Sequence, residues 1–197
     1  MISVIIPTYQ SPDYLDLCLK SAFEGQKNKN EIIVVVDGFY ELNKHVLDKY
    51  PDVNILDLGF NQGLPVATNW GVYNASNEYI LVVNDDNVFP KNWDVDLEPY
   101  LSKKVVVSPN QIEPNPSMFK QFKIQNLGKN PNEFDLEEFW DYAQSIKLEQ
   151  FDNTGSTLPF AMHKLDYLAI GGWDIMYPSP HVVDWDFFLK CEYVGYR

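Results

Sequence analysis

Two adjacent carboxylates, Asp85 and Asp86, are the side chains in this sequence best suited to bind a divalent cation. They follow the apolar run 79–83 and are themselves followed by Asn87. Mg²⁺ and Mn²⁺ prefer carboxylate oxygens and commonly keep waters and substrate phosphates as further ligands. Adjacent acids at the end of a strand could therefore hold a metal that bridges a diphosphate. The alternative is a solvated turn, because Asp and Asn side chains hydrogen-bond to their own backbone in turns.

Asp184 is a candidate general base, a group that takes a proton from a substrate hydroxyl. It precedes Phe187, Phe188 and Cys191, and this spacing predicts that it lies at the start of a helix. The alternative role is N-capping of that helix, which stabilises a helix by about 1 kcal/mol.

Asp37 directly follows the β-branched run 32–36 and precedes Gly38. Its carboxylate could accept a hydrogen bond from the N–H of a nucleobase. Aspartate at such a position also caps helices and forms turns. The residues alone leave both interpretations open.

The acids must be positioned by the strands and helices that the sequence predicts in alternation. Residues 4–6, 32–36, 53–56 and 79–83 are predicted to be strands, and the unbroken β-branched run 32–36 is typical of a parallel strand covered on both faces. Three helical patterns separate them: a stripe of Leu15, Cys18, Leu19 and Ala22 after Ser11-Pro12, a weaker helix at about 40–49, and a helix opened by Pro65. Repeated strand–helix units predict an α/β fold with a central, mostly parallel sheet flanked by helices.

The carboxyl ends of parallel strands meet at one edge of a sheet, and ligands bind there. In this sequence four polar clusters follow the predicted strands: Pro7-Thr8-Tyr9, Asp37-Gly38, Asn61-Gln62-Gly63 and Asp85-Asp86-Asn87. Their convergence on one edge favours metal binding over a simple turn at Asp85 and Asp86.

Residues 108–132 are rich in Pro, Asn, Gln and Lys, which indicates a long excursion rather than core. Loops of this length inside a compact domain often contact ligands. Asn132 is predicted to cap a helix that carries Leu136, Phe139, Trp140 and Ala143 on one face.

Composition limits the classes of partner. The 197 residues fit one domain with a sizeable core, and the net charge of −13 opposes binding to nucleic acid. A small diphosphate could still bind if a divalent cation or a helix N-terminus supplied positive charge.

Cys18 and Cys191 are too few for a disulfide framework and predict buried thiols in a reducing compartment. No apolar run approaches the ~20 residues that cross a bilayer, and the N-terminus is typical of a strand rather than a signal peptide.

Several other catalytic classes lack their motifs. His163 and His181 have no partner at zinc-ligand spacing. The turn after the first strand, residues 7–12, contains no glycine and therefore no G-x-G-x-x-G dinucleotide motif. A Walker A loop and a G-x-S-x-G elbow are also absent from the sequence.

In their order along the chain, these elements resemble the family 2 glycosyltransferases of the GT-A fold. Residues 3–9 are similar to the family's first strand and nucleotide-binding turn, and residues 31–38 to its second strand with a base-contacting aspartate. Residues 61–64, with Ala67, Asn69 and Gly71, match its glycine turn and following helix. Residues 84–87 stand where its D-x-D-type metal motif belongs, as Asp-Asp-Asn. Residues 171–174 and 184–186 resemble its late G-G-[FW]-D and E-D-x-D elements, with Val183 in place of the glutamate.

The resemblance implies one GT-A domain over residues 1–197, with a nucleotide-binding half at 1–107 and an acceptor-side half at 108–197. It implies that the donor nucleotide is bound by residues at the strand ends, namely Pro7, Thr8, Tyr9, Asp37, Asn61, Gly63 and Asp85. Asp86, with Asp85 beside it, would ligate Mn²⁺ or Mg²⁺, and Asp184 would be the catalytic base of an inverting transfer.

The implied reaction moves a sugar from a UDP-sugar, or alternatively a GDP- or TDP-sugar, to a glycan, lipid-linked or protein-linked hydroxyl. The expected location is cytoplasmic, peripheral to a membrane if the acceptor is lipid-linked. Two other functions stay open. One is a non-catalytic sugar-nucleotide or glycan-binding module of the same fold. The other is a sugar nucleotidyltransferase, which would normally carry a glycine-rich basic loop where this chain has Gln10-Ser11-Pro12.

Overall fold

The computed structural model of the chain describes residues 1–114, 123–128, 130–148, 157–177 and 182–197. The predicted alternation of strands and helices is confirmed through the first hundred residues. In chain order the elements are β1 (Ile2–Thr8), α1 (Pro12–Gly25), β2 (Glu31–Val36), α2 (Tyr40–Leu47), β3 (Asn54–Asp57), α3 (Leu64–Asn74), β4 (Tyr79–Val82), α4 (Trp93–Leu97), a 3-10 turn (Glu98–Tyr100), β5 (Val106–Val107), β6 (Ile112–Glu113), β7 (Lys123–Ile124), α5 (Leu136–Ser145), β8 (Phe160–His163), α6 (Lys164–Ile170) and α7 (Val183–Tyr193).

The central sheet has six strands in the order β3-β2-β1-β4-β8-β5. Strands β3, β2, β1 and β4 are parallel, and β8 and β5 continue the sheet in antiparallel pairings. The chain builds outward from β1 to β2 and β3, then returns to place β4 on the other side of β1. This reversal is a topological switch point, where open α/β sheets form a crevice for ligands.

Both faces of the sheet are covered, because successive strand residues point to opposite sides. On one face Val4 and Ile6 pack in a cluster with Leu15 and Leu19 of α1. On the other, Ile5 packs in a cluster that also contains residues of α3, α6 and α7. Within the described residues no helix combines the length and apolar composition needed to cross a membrane. Both cysteines are buried free thiols, as predicted.

The helix predicted after the excursion is present as α5, but the prediction that Asn132 caps it is wrong. Asp135 occupies the N-cap position, and its carboxylate accepts a hydrogen bond from the Glu138 N–H. Asn132 lies instead in a preceding turn, where its N–H donates to the Asn130 side chain. The helix is anchored to the segment that follows Asp85 and Asp86, because the Trp140 indole N–H donates to the Phe89 carbonyl at 2.9 Å.

Candidate functional site

The carboxyl ends of β1, β2, β3 and β4 lie along one edge of the sheet, which we call the rim. Parallel pairing places Thr8 beside Val36 and Ile5 beside Val82, so that the segments after each strand emerge together. A backbone hydrogen bond of 2.8 Å from the Asp37 N–H to the Thr8 carbonyl ties two of these segments directly. The predicted convergence of the polar clusters therefore has its structural basis in this sheet.

Asp85 is bonded to the end of β1 at the switch point. The Thr8 hydroxyl donates to Asp85 Oδ2 at 2.7 Å, across 77 residues of sequence. Burial, reinforced by the negative charge of Asp86, raises the pKa of Asp85 to about 6, although hydrogen bonds from the Thr8 hydroxyl and the Tyr9 N–H oppose the rise. A partly buried carboxylate is thus held in place by two donors from the predicted nucleotide-binding turn.

Asp86 is the more exposed member of the pair, and partial burial of its carboxyl raises its pKa as well. The pair lies in a turn closed by Asn87, whose side-chain oxygen accepts from the Asn84 N–H at 3.0 Å. Within the part of the chain that the structure describes, no hydrogen bond or ion pair joins Asp86 to another side chain. Its oxygens are available for an external ligand.

Glu113 is a third carboxylate near this turn, and it was not among the residues predicted from the sequence. Burial and the charge of Asp86 raise the pKa of Glu113, which indicates that the two acids are close. Ile112, beside it on β6, packs with Val88 in a small cluster formed around α5. No sequence signal separates Glu113 from the rest of the polar excursion.

Asp37 fastens the glycine turn to the end of β2. Its two carboxylate oxygens accept from the Gln62 N–H at 2.6 Å and the Gly63 N–H at 2.9 Å. The N-cap interpretation of Asp37 is wrong, because Phe39 occupies the N-cap position of α2. Asn61 is exposed beside this bond, and Gly63, with a φ of 93°, leads into α3.

Asp184 lies in the first turn of α7, as predicted, but Val182 and not Asp184 is at the N-cap position. Asp184 Oδ1 accepts from the Trp185 N–H at 2.9 Å, and burial raises the pKa of Asp184. Asp186, one position further on, is paired with Lys190 at 3.0 Å. No hydrogen bond among the described residues links Asp184 to Asp85 or Asp86. His181 lies outside the described residues.

The turn at residues 171–174 is fixed by a side chain of α3. Asn69 donates from Nδ2 to the Trp173 carbonyl at 2.8 Å and accepts at Oδ1 from the Trp173 N–H at 3.0 Å and from the Tyr167 hydroxyl at 2.6 Å. Trp173 is 1% exposed and belongs to the core. Through Asn69, the helix that begins at the glycine turn also positions the chain that leads toward α7.

The oxygen ligands at the switch point fit a hard divalent cation. Asp85 and Asp86 offer adjacent carboxylates, of which Asp85 is held by Thr8 and Asp86 is exposed, with no side-chain partner in the part of the chain that the structure describes. Such cations often take one or two protein carboxylates and complete their shell with water and phosphate oxygens. Among the residues described, no three His, Cys, Asp or Glu side chains are grouped closely enough to form a complete metal cage.

Comparison with known proteins identifies the family. Residues 3–161 match the family described as Glycosyl transferase family 2. The uncharacterized glycosyltransferase YibD of Escherichia coli K12 is 34% identical over 98 residues, which cover 47% of this chain and 28% of that protein. The chain therefore spans well under half the length of this curated relative. The family match, over residues 3–161, includes the segments that follow β1, β2, β3 and β4 and ends before Asp184.

Two solved structures share the fold. The mannosyltransferase PcManGT of Pyrobaculum calidifontis, in complex with GDP-Man and Mn²⁺, aligns with a TM-score of 0.65 at 17% identity and covers all of this chain and 53% of that one. S. aureus TarS 1–349, in complex with UDP-GlcNAc, aligns with a TM-score of 0.62 at 19% identity and covers 96% of this chain and 52% of that one. The predicted GT-A fold is confirmed, and because the family match covers most of the sequence, the chain belongs to glycosyl transferase family 2.

Proposed function

We propose that this chain transfers a sugar from a nucleoside-diphosphate donor to a hydroxyl acceptor, with inversion at the anomeric carbon. The observation that carries the proposal is the bonded unit of Thr8, Tyr9 and Asp85 at the switch point, with the exposed Asp86 beside it. A nucleotide turn and an acidic turn are joined there in one site, in a chain of family 2.

The donor nucleotide lies along the rim in this proposal. Pro7, Thr8 and Tyr9 contact the nucleoside, and Asp85 lies by the ribose and the cation. Asn61 and Gly63 border the same crevice, because Asp37 holds their turn against β2. Asp37 is 4% exposed and both of its oxygens already accept hydrogen bonds. Any contact of Asp37 with a base would therefore be additional to its bonds with this turn.

A divalent cation completes the donor site. Asp86 would ligate Mn²⁺ or Mg²⁺, with Asp85 as the neighbouring carboxylate. When bound, the cation supplies positive charge that stabilises the departing diphosphate. This requirement is strong here, because a chain with a net charge of −13 otherwise repels a diphosphate.

Asp184 acts as the general base in this account. The acceptor hydroxyl oxygen forms a bond to the anomeric carbon on the face opposite the diphosphate, and the bond from that carbon to the phosphate oxygen breaks. The hydroxyl proton passes to the Asp184 carboxylate, and the nucleoside diphosphate leaves with the electron pair. The raised pKa of Asp184 favours this step, since a carboxylate becomes a stronger base as its pKa approaches the working pH.

The test measures release of nucleoside diphosphate from a panel of UDP-, GDP- and TDP-sugars with Mn²⁺ and a mixture of glycan acceptors. The panel includes GDP- and UDP-sugars because the two structural neighbours are in complex with GDP-Man and UDP-GlcNAc. The wild-type chain is expected to release nucleoside diphosphate from one donor. Asp184→Asn is expected to bind that donor with unchanged affinity but to release nucleoside diphosphate from it at least about a hundredfold more slowly.

Asp141→Asn is the matched control, because Asp141 is an exposed aspartate on α5 and loses the same charge. Its rate is expected to equal that of the wild type. Turnover retained by Asp184→Asn would remove Asp184 as the base. Donor binding without any diphosphate release would instead support a non-catalytic binding module.

A further inference from the structure

Phe39 holds an uncommon backbone conformation at the rim. Its φ of 59° and ψ of 41° place it in the left-handed region, which bulky side chains rarely adopt. It occupies the N-cap position of α2 without any side-chain cap, a position at which Ser, Thr, Asp and Asn are preferred. Phe39 is also 53% exposed, so packing against the core does not explain why a phenylalanine stands at this position.

The Phe39 ring is paired with the ring of Tyr9. Their centroids are 5.5 Å apart and their planes are inclined by 77°, an edge-to-face contact. Tyr9 is 41% exposed and directly follows β1. Because Tyr9 also donates its backbone N–H to Asp85, the aromatic pair lies immediately beside the acidic turn.

A buried amide fixes the backbone beneath the two rings. Asn43 of α2 is fully buried, and its Nδ2 donates to the Tyr9 carbonyl at 3.2 Å and lies 3.5 Å from the Phe39 carbonyl. Its Oδ1 is buried without a hydrogen-bond partner in the described structure. An unpartnered buried oxygen is costly, so three unfavourable features accumulate where the exposed rings are held: a left-handed aromatic, a weak cap and an unpaired amide oxygen.

We propose that Phe39 is a nucleobase-stacking residue of the donor site and forms with Tyr9 the surface on which the base lies. This inference rests on the proposed function, since it assigns the base subsite of the same rim. Strain retained at exposed residues is a feature of ligand sites, and exposed aromatic rings stack on bases without distinguishing their hydrogen-bonding edges. Phe39 therefore strengthens nucleotide binding, while selection among bases depends on other groups.

The test is calorimetric titration of UDP and GDP, each with Mn²⁺, into the wild type, Phe39→Gly, Phe39→Asn and Phe39→Tyr. Glycine and asparagine accept the left-handed conformation, so the melting temperatures of both variants are expected to be no lower than that of the wild type. Their affinity for the bound nucleotide is expected to fall about tenfold, the usual order for loss of one stacking partner. Phe39→Tyr is expected to stay within about twofold of the wild type.

Two controls separate base stacking from other effects. Tyr73→Ala removes another exposed aromatic side chain, which stacks on Trp70. Tyr73 lies roughly 13 Å along α3 from Leu64, the first residue of that helix. This substitution is expected to leave nucleotide affinity unchanged. Inorganic pyrophosphate with Mn²⁺ is expected to bind the wild type and Phe39→Gly equally, because it has no base.

Unchanged nucleotide affinity in Phe39→Gly would overturn the inference while leaving the proposed function intact. An equal loss of pyrophosphate affinity in Phe39→Gly would also overturn it, because the substitution would then weaken binding of the phosphates rather than stacking of the base. Absence of nucleotide binding by the wild type would overturn the proposed function and this inference together.

Discussion

Asp85→Asn is expected to stabilise the fold while weakening the site. Burial and Asp86 raise the pKa of Asp85 from its ordinary value of 3.8 to about 6, so the folded chain resists ionisation of this carboxyl more than the unfolded chain does. At ~1.4 kcal/mol for each pH unit, this difference corresponds to a cost of roughly 3 kcal/mol as an upper value. Asparagine avoids that cost and can still accept the Thr8 hydrogen bond through its side-chain oxygen.

The pH dependence has a defined sign. Between pH 3.8 and about 6 the folded state binds a proton at Asp85 that the unfolded state has lost, so wild-type stability falls as the pH rises through this window. The variant lacks that loss. The free energy of unfolding of Asp85→Asn should therefore equal that of the wild type below about pH 4, exceed it increasingly up to about pH 6, and keep a constant excess above pH 7.

Urea denaturation of both proteins at several values from pH 4 to pH 8 measures this difference, with Asp141→Asn as the exposed control. The control should show no comparable rise of stability with pH. If the variant were less stable than the wild type at pH 7.5, or if its excess stability did not change with pH, burial would not oppose the charge of Asp85.

Two further substitutions test how the turns are held. Asp37→Asn replaces one acceptor with an amide that faces a backbone N–H, at Gln62 or Gly63, and is expected to lower the unfolding free energy by about 1–3 kcal/mol in urea titrations; unchanged stability would contradict the bonding described. Gly172→Ala should melt at a lower temperature than Gly171→Ala. Both glycines have positive φ, but only at position 172 would an added Cβ approach Asn69 Oδ1, at 2.5 Å; equal melting temperatures would show that this contact is unimportant.

Much of the rim was predictable from local patterns. Apolar runs predicted β1, β2 and β4 as strands, and the β-branched run of β2 predicted that it is covered on both faces. Parallel pairing then required the polar ends of these strands to converge. The Thr8–Asp85 bond was not predictable, because it depends on how two strands distant in sequence are paired. Strand β8 was missed because four residues are too short to distinguish a strand from a helix segment.

The roles of single polar residues were harder to predict than the elements that carry them. Asp37 suits a base contact, a cap or a turn equally well by type, and its bonds to the turn at Gln62 and Gly63 exist only in the folded chain. Asn132 and Asp135 are both good caps, and the position of the preceding turn selects Asp135. Glu113 is brought near Asp86 by the fold, because its neighbour Ile112 and Val88 both pack on the cluster around α5, and this arrangement leaves no local signal in the sequence.

The proposed function requires the rim at the switch point to bind a nucleoside diphosphate through a divalent cation. A thermal-shift screen of UDP, GDP, CDP, TDP and ADP, each with Mn²⁺ and with chelator, tests it on the wild type and Asp86→Ala. A ligand at a hundredfold excess over its dissociation constant stabilises the native state by ~2.7 kcal/mol, which for a chain of this size raises the melting temperature by several degrees. Such a rise is expected for at least one nucleotide with Mn²⁺, and it should be lost with chelator or in Asp86→Ala. No rise with any nucleotide, or an equal rise in Asp86→Ala, would contradict it.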